Sequence, residues 1–119
     1  MNKNQKVMKT KILNLVVGLF LITSFSVSAQ EVKTEKFKVY GNCGMCENRI
    51  EKAASGLEGV TKADWDKETQ MLEITFDDSK VKVDDVHKAV AKAGHDTEKV
   101  KADDEVYNAL PACCLYREK

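Results

Sequence analysis

The sequence predicts an α+β fold in which an antiparallel sheet carries two helices on one face. Two kinds of periodicity and their order predict it. Strand-type alternation is clearest at residues 36–39 and 72–76, apolar residues recur at helical spacing over 46–57 and 83–93, and the order is strand, helix, strand, strand, helix, strand. A strand–helix–strand unit used twice closes into a four-stranded sheet with both helices on the same side, the ferredoxin-like arrangement.

Each element has its own reason. In "KTEKFKVYG" Phe37 and Val39 face one way and Lys36 and Lys38 the other, a half-buried strand. Cys46, Ile50, Ala53, Ala54 and Leu57 form a helical stripe about three turns long, and Gly56 and Gly59 stop it. "GVTKADWD" puts Ala63 and Trp65 on one face of a second, less regular strand, with Trp65 read as a core or sheet-face residue. After the polar turn "DKETQ", Leu72, Ile74 and Phe76 alternate with Glu73 and Thr75, the clearest strand of all. Val83, Val86, Val90 and Ala93 mark the second helix, closed by Gly94. "HDTEKVKA" supplies a short last strand.

The first 29 residues read as an export signal, cleaved after Ala29. Lys3, Lys6, Lys9 and Lys11 precede the apolar run "ILNLVVGLFLI", and "SFSVSAQ" carries the small residues a signal peptidase reads; Met8 also serves as a start. The eleven-residue run falls short of the roughly 20 apolar residues a spanning helix needs. Three segments follow: signal at 1–29, folded domain at 30–101 and a C-terminal extension at 102–119. Cleavage leaves 15 basic residues against 19 acidic, a net charge of −4, which speaks against a nucleic-acid partner. The expected destination is a periplasm, with secretion the other outlet, and both are oxidising for thiols.

"GNCGMC" places Cys43 and Cys46 where the first helix begins. Cysteines at that spacing turn both sulfurs toward one point, and the helix N-terminus favours their ionised form. Soft thiolates select Cu(I), Zn(II), Cd(II) or Hg(II), and a two-sulfur site suits near-linear Cu(I) or Hg(II) better than tetrahedral Zn(II). The same motif also fits a loop disulfide or a thiol–disulfide exchange protein. Exchange folds face the motif with a cis-proline loop, whereas the only proline here is Pro111, in the tail. No nucleophile-and-base pair or phosphate-cradling loop stands out, so binding rather than catalysis is the expected activity.

Residues 34–101 resemble the heavy-metal-associated domain family, on the Cys-x-x-Cys between first strand and first helix, on "IEKAASGLEGV" and on "KAVAKAGHD". The resemblance implies the ferredoxin-like fold, a soft metal ion held by Cys43 and Cys46, Cu(I) first among candidates, and delivery to a membrane metal transporter by ligand exchange, or sequestration; a monomer is the expected state. The chain departs from the family pattern in three places. Gly41 replaces the usual methionine two residues before the first cysteine, with Met45 between the cysteines instead. His95 stands where an aromatic or lysine is common. Eighteen residues follow the domain, ending "YNALPACCLYREK".

In a ferredoxin-like topology the loop carrying His95 lies at the same end of the sheet as the cysteine loop, so His95 is a candidate third ligand or else an exposed turn residue. His87, beside the apolar stripe of the second helix, reads as a helix-flank residue and not a ligand. In the tail, Asp103 caps a helix with Val106, Tyr107 and Leu110 on one side and Pro111 as its stop. A six-residue last strand carries the chain roughly 20 Å from the cysteine loop, and eight helical plus three extended residues reach back roughly 22 Å. Cys113 and Cys114 are thereby expected at the metal end, as further ligands or as disulfide partners. Four cysteines allow three pairings, all open at this point.

Overall fold

The computed structural model describes residues 31–118. The export segment expected at 1–29 lies outside them. Strand β1 (Val32–Lys38), helix α1 (Gly44–Ser55), strands β2 (Val60–Trp65) and β3 (Met71–Asp77) and helix α2 (Val83–Lys92) follow the predicted order. A short helix α3 (Asp104–Asn108) and two 3-10 turns, Ala112–Cys114 and Tyr116–Glu118, complete the chain. Among the described residues no helix is long and apolar enough to cross a membrane.

The sheet is antiparallel in the order β1-β3-β2, with Phe37 opposite Leu72 and Trp65 opposite Leu72 from the other side. Because side chains alternate along a strand, that register stacks Phe37, Trp65, Leu72, Ile74 and Phe76 on one face, all almost fully buried. Helix α1 meets this face through Cys46, Ile50 and Ala54, and α2 through Val86 and Val90. Each fully buried aliphatic or aromatic side chain contributes about 1.5–3 kcal/mol, so these few residues dominate the stability of the domain. The Asp85 carboxylate accepts from the Lys82 backbone N–H at 3.1 Å and starts α2. Gly94, at φ +107°, ends it in a left-handed turn that L side chains rarely adopt.

The ferredoxin-like plan holds, but its fourth strand shrinks to one bridge, Val39 with Thr97, framed by Tyr40 N–H to Asp96 O at 2.9 Å and Glu98 N–H to Lys38 O at 3.1 Å. The reason is local. Thr97 Oγ1 accepts from the N–H groups of Lys99 and Val100 at 3.1 and 2.9 Å, curling the backbone into a turn, and "HDTEKVKA" lacks the apolar alternation that would hold an edge strand against the core. His87 is buried rather than flanking: its ring stacks on Phe37 at 3.8 Å and its Nδ1 lies 2.6 Å from Thr97 Oγ1. It takes no part in the cysteine cluster.

The shortened strand changes the path of the tail. The pairing stops at Thr97 instead of running the six residues expected, and the helix that follows has five residues where eight were expected. Tyr107 and Leu110 bury themselves in the core, and Leu110 lies over Gly94, where a Cβ would stand 2.8 Å from Leu110 Cδ2.

Candidate metal centre

Four sulfurs converge where α1 begins. Cys43 is the extended N-cap residue of α1, and Glu47 N–H closes the first helical bond onto its carbonyl at 3.0 Å. Cys46, three residues on, heads the buried stripe that continues through Ile50 and Ala54, so its sulfur points inward while that of Cys43 stays half-buried. Pro111 ends the α3 segment, and the following 3-10 turn presents Cys113 outward and Cys114 fully inward. Sulfur–sulfur distances are 2.8 Å for Cys46–Cys114, 3.3 Å for Cys43–Cys113, 3.7 Å for Cys43–Cys46, and 4.0 Å for Cys43–Cys114 and for Cys113–Cys114. All four are free thiols. The tail cysteines therefore arrive at the Cys-x-x-Cys loop, from a segment about 70 residues away in sequence.

His95 completes the inner side. It is fully buried, not an exposed turn residue. Its Nδ1 lies 2.8 Å from the Tyr40 carbonyl, which makes Nδ1 the protonated donor and leaves Nε2 as a bare lone pair. Nε2 is buried without any partner, and a ring nitrogen of His95 lies within 4.8 Å of the Cys46 and Cys114 sulfurs. A buried acceptor left unpaired is costly, and this is the tautomer in which imidazole binds a metal.

The sulfurs differ in acidity according to their surroundings. The Cys46 backbone N–H, unpaired at the helix start, brings the Cys43 thiol down to about 7 against the desolvation that opposes it. Burial raises the Cys114 thiol far above its ordinary value, helped by the Cys46 sulfur beside it. Burial likewise lowers His95, holding its ring neutral.

Two features that sequence reasoning missed hold the tail in place. Tyr116 Oη donates to Gly94 O at 2.8 Å and accepts from Asp96 N–H at 2.7 Å. Arg117 grips the Asp96 carboxylate with Nε at 3.0 Å and Nη2 at 2.7 Å, adds Nη1 to Asp104 at 3.0 Å, and lies over the Tyr107 ring at 4.2 Å. The only sequence signal was an aromatic and an arginine two and three residues after the cysteine pair. Gly41, which stands where the family carries a methionine, is closely surrounded. A Cβ on Gly41 would stand 3.1 Å from both Cys46 Cβ and the Trp65 ring, which is held by Nε1–H to Val39 O at 2.9 Å, so a side chain at this position would press on both.

The profile of the heavy-metal-associated domain matches residues 37–96, half of the chain. The chain belongs to the heavy-metal-associated domain family. The copper chaperone CopZ of Staphylococcus aureus (strain JH9) is 36% identical over 55 residues, which span 46% of this chain and 81% of CopZ. The solved structure of a CopZ metallochaperone superposes with a TM-score of 0.53 at 35% identity, over 55% of this chain and 98% of that one. The N-terminal domain of a potential copper-translocating P-type ATPase from Bacillus subtilis, in the Cu(I)-loaded state, gives 0.54 at 27% identity, over 64% of this chain and 96% of that one. The family match takes in Cys43, Cys46 and His95 of the heavy-metal-associated domain and stops short of Cys113 and Cys114.

Proposed function

We propose that the chain is a soft-metal carrier or store that binds Cu(I), with Hg(II), Zn(II) and Cd(II) as weaker candidates, at Cys43, Cys46, Cys113, Cys114 and His95. The observation that carries the reading is the convergence of four thiol sulfurs, each within 4.0 Å of at least two others, beside a buried imidazole nitrogen that has no other partner. Thiolate and imidazole are the donors soft d10 ions select. The likeness to copper chaperone CopZ and to the Cu(I)-loaded ATPase domain supports copper over the other ions. Binding, with no chemical turnover, is the activity.

Capture begins at Cys43, the most acidic of the thiols with a displaced acidity and the one nearest solvent among the pair on α1. The ion then gains Cys46 and the tail sulfurs, losing their protons as it binds. Release runs by ligand exchange. A thiolate of the acceptor adds to the ion before one of the chain's own sulfurs leaves, and the tail has to swing aside to admit it. The acceptor we propose is a membrane metal transporter, in keeping with the likeness to an ATPase N-terminal domain. The basic and apolar N-terminus supports export to a periplasm, where the chain works as a monomer.

The reading is tested by anaerobic competition for Cu(I) against a chromophoric chelator. The reduced chain is expected to strip the chelator, the Cys43→Ser, Cys46→Ser variant to lose binding, and the Cys113→Ser, Cys114→Ser variant to bind about tenfold more weakly or worse, a loss of about 1.4 kcal/mol. Reduction of insulin at a rate above the thiol background, with no copper taken from the chelator, would instead make the chain a thiol–disulfide exchange protein.

A further inference from the structure

We propose that the centre holds two Cu(I) ions per chain, bridged by the sulfur of Cys114. This rests on the reading that the centre takes soft metal, and it concerns how many ions and on which donors. The five candidate donors form two triangles that share one corner. Cys43, Cys113 and Cys114 make the outer one, Cys46, His95 and Cys114 the inner one, and within each the ligand atoms lie within 4.8 Å of one another.

Donor supply separates one ion from two. Cu(I) is soft and settles with two or three such ligands, whereas a tetrahedral ion uses four. One Cu(I) in the outer triangle leaves Cys46 Sγ and His95 Nε2 idle, both in fully buried residues. One in the inner triangle leaves Cys43 and Cys113 facing each other at 3.3 Å. Two ions employ all five donors, three to each ion, with Cys114 counted twice.

The position of Cys114 suits a bridge. Its sulfur is buried between the groups, 2.8 Å from Cys46 on the inner side and 4.0 Å from both Cys43 and Cys113 on the outer. A thiolate carries lone pairs enough for two ions at once. No electron moves: each ion replaces thiol protons, which pass to solvent.

The ordering of exposure gives the outer triangle the role of port. Met45, half exposed, sets its Sδ 3.6 Å from Cys113 Sγ, so soft donors lead inward from the surface through Cys113 and Cys43 to Cys114 and Cys46.

The test is anaerobic titration of the reduced full chain with Cu(I), read by native mass spectrometry of the monomer and by copper K-edge X-ray absorption at saturation. The wild-type monomer is expected to take two copper ions and to show copper–copper scattering. The Cys114→Ser monomer is expected to stop at one, and circular dichroism establishes that it folds. Where it does not fold, the copper–copper scattering of the wild type decides alone. Saturation at one copper per monomer overturns the inference, as do two coppers without mutual scattering, or a folded Cys114→Ser chain that still takes two. A chain that takes no Cu(I) overturns the metal reading itself, which keeps the two failures apart.

Discussion

Cys43 and Cys114 hold their sulfurs 4.0 Å apart yet lie at opposite ends of thiol acidity. The difference is environmental: Cys43 receives the Cys46 amide at the helix start, and Cys114 is shut in apolar surroundings. Brief pulses of iodoacetamide on the reduced, metal-free chain should therefore modify Cys43 first, at a rate that climbs as pH passes through about 7, and leave Cys114 unmodified at pH 8. Peptide mass spectrometry reads the order of labelling. Faster labelling of Cys113, which is more exposed but made less acidic by the Cys43 sulfur beside it, would contradict this account. The same scale explains Gly41. Its neighbours, Cys46 and the Trp65 ring, leave no room for a Cβ without a shift.

The tail is the element that distinguishes this chain from a plain two-cysteine domain. It is fastened at two points, by Leu110 packed on Gly94 and by Tyr116 and Arg117 bonded to the turn around Asp96. The second fastening is polar and only partly shielded, so removing it loosens the tail without emptying the core. Arg117→Ala leaves the domain folded but weakens tail docking by about 1.5–3 kcal/mol, the range for hydrogen bonds to charged groups. Hydrogen exchange is expected to accelerate over residues 103–117 alone, and Cu(I) loss to a chelator to speed up. Uniform acceleration across the domain, or an unchanged rate of loss, would show that the tail does not control access to the sulfurs. Shortening the fourth strand and extending the chain are thus one design, because the turn that ends the pairing at Thr97 also turns the chain back toward the cysteine loop.

For the molecule as a whole, acid acts in two stages. His87 and His95 are buried, and burial lowers both pKa values below the ordinary histidine value of 6.5, so the unfolded chain binds their protons first. Their contribution to stability is complete above about pH 6.5 and declines as pH falls through the lower folded values. Asp96 follows at lower pH. Burial alone would raise its carboxyl, but the Arg117 guanidinium and the Ala102 backbone N–H together more than offset that and hold it below the usual aspartate range. Its contribution is present above about pH 4 and lost as pH falls through the folded value. The urea midpoint of the metal-free chain is expected to fall between pH 7 and 5 and again below pH 4. In Arg117→Ala the second decline should be shallower, and an identical second decline would remove Asp96 from the account.

The sequence by itself determined the order of the first five elements, the two buried helical stripes, the alternating face of β3 and the Cys-x-x-Cys at a helix start, because each of these depends on periodicity within one element. The cysteine pair of the tail and His95 were legible as candidates, since topology puts their loops at the same end of the sheet and chain length bounds how far the tail reaches. What only the tertiary structure decided depends on contacts between distant segments. The fourth strand is set by whether Thr97 bonds across to β1 or back on its own turn, and the freedom of His95 Nε2 by the Tyr40 carbonyl 55 residues away. The approach of Cys114 to Cys46 is set by side chains that no local pattern marks, Leu110 against Gly94 and Arg117 against Asp96. Periodicity tells which face a residue is on; which atoms then meet is decided by packing and by the pairing of polar groups that burial would otherwise leave unsatisfied.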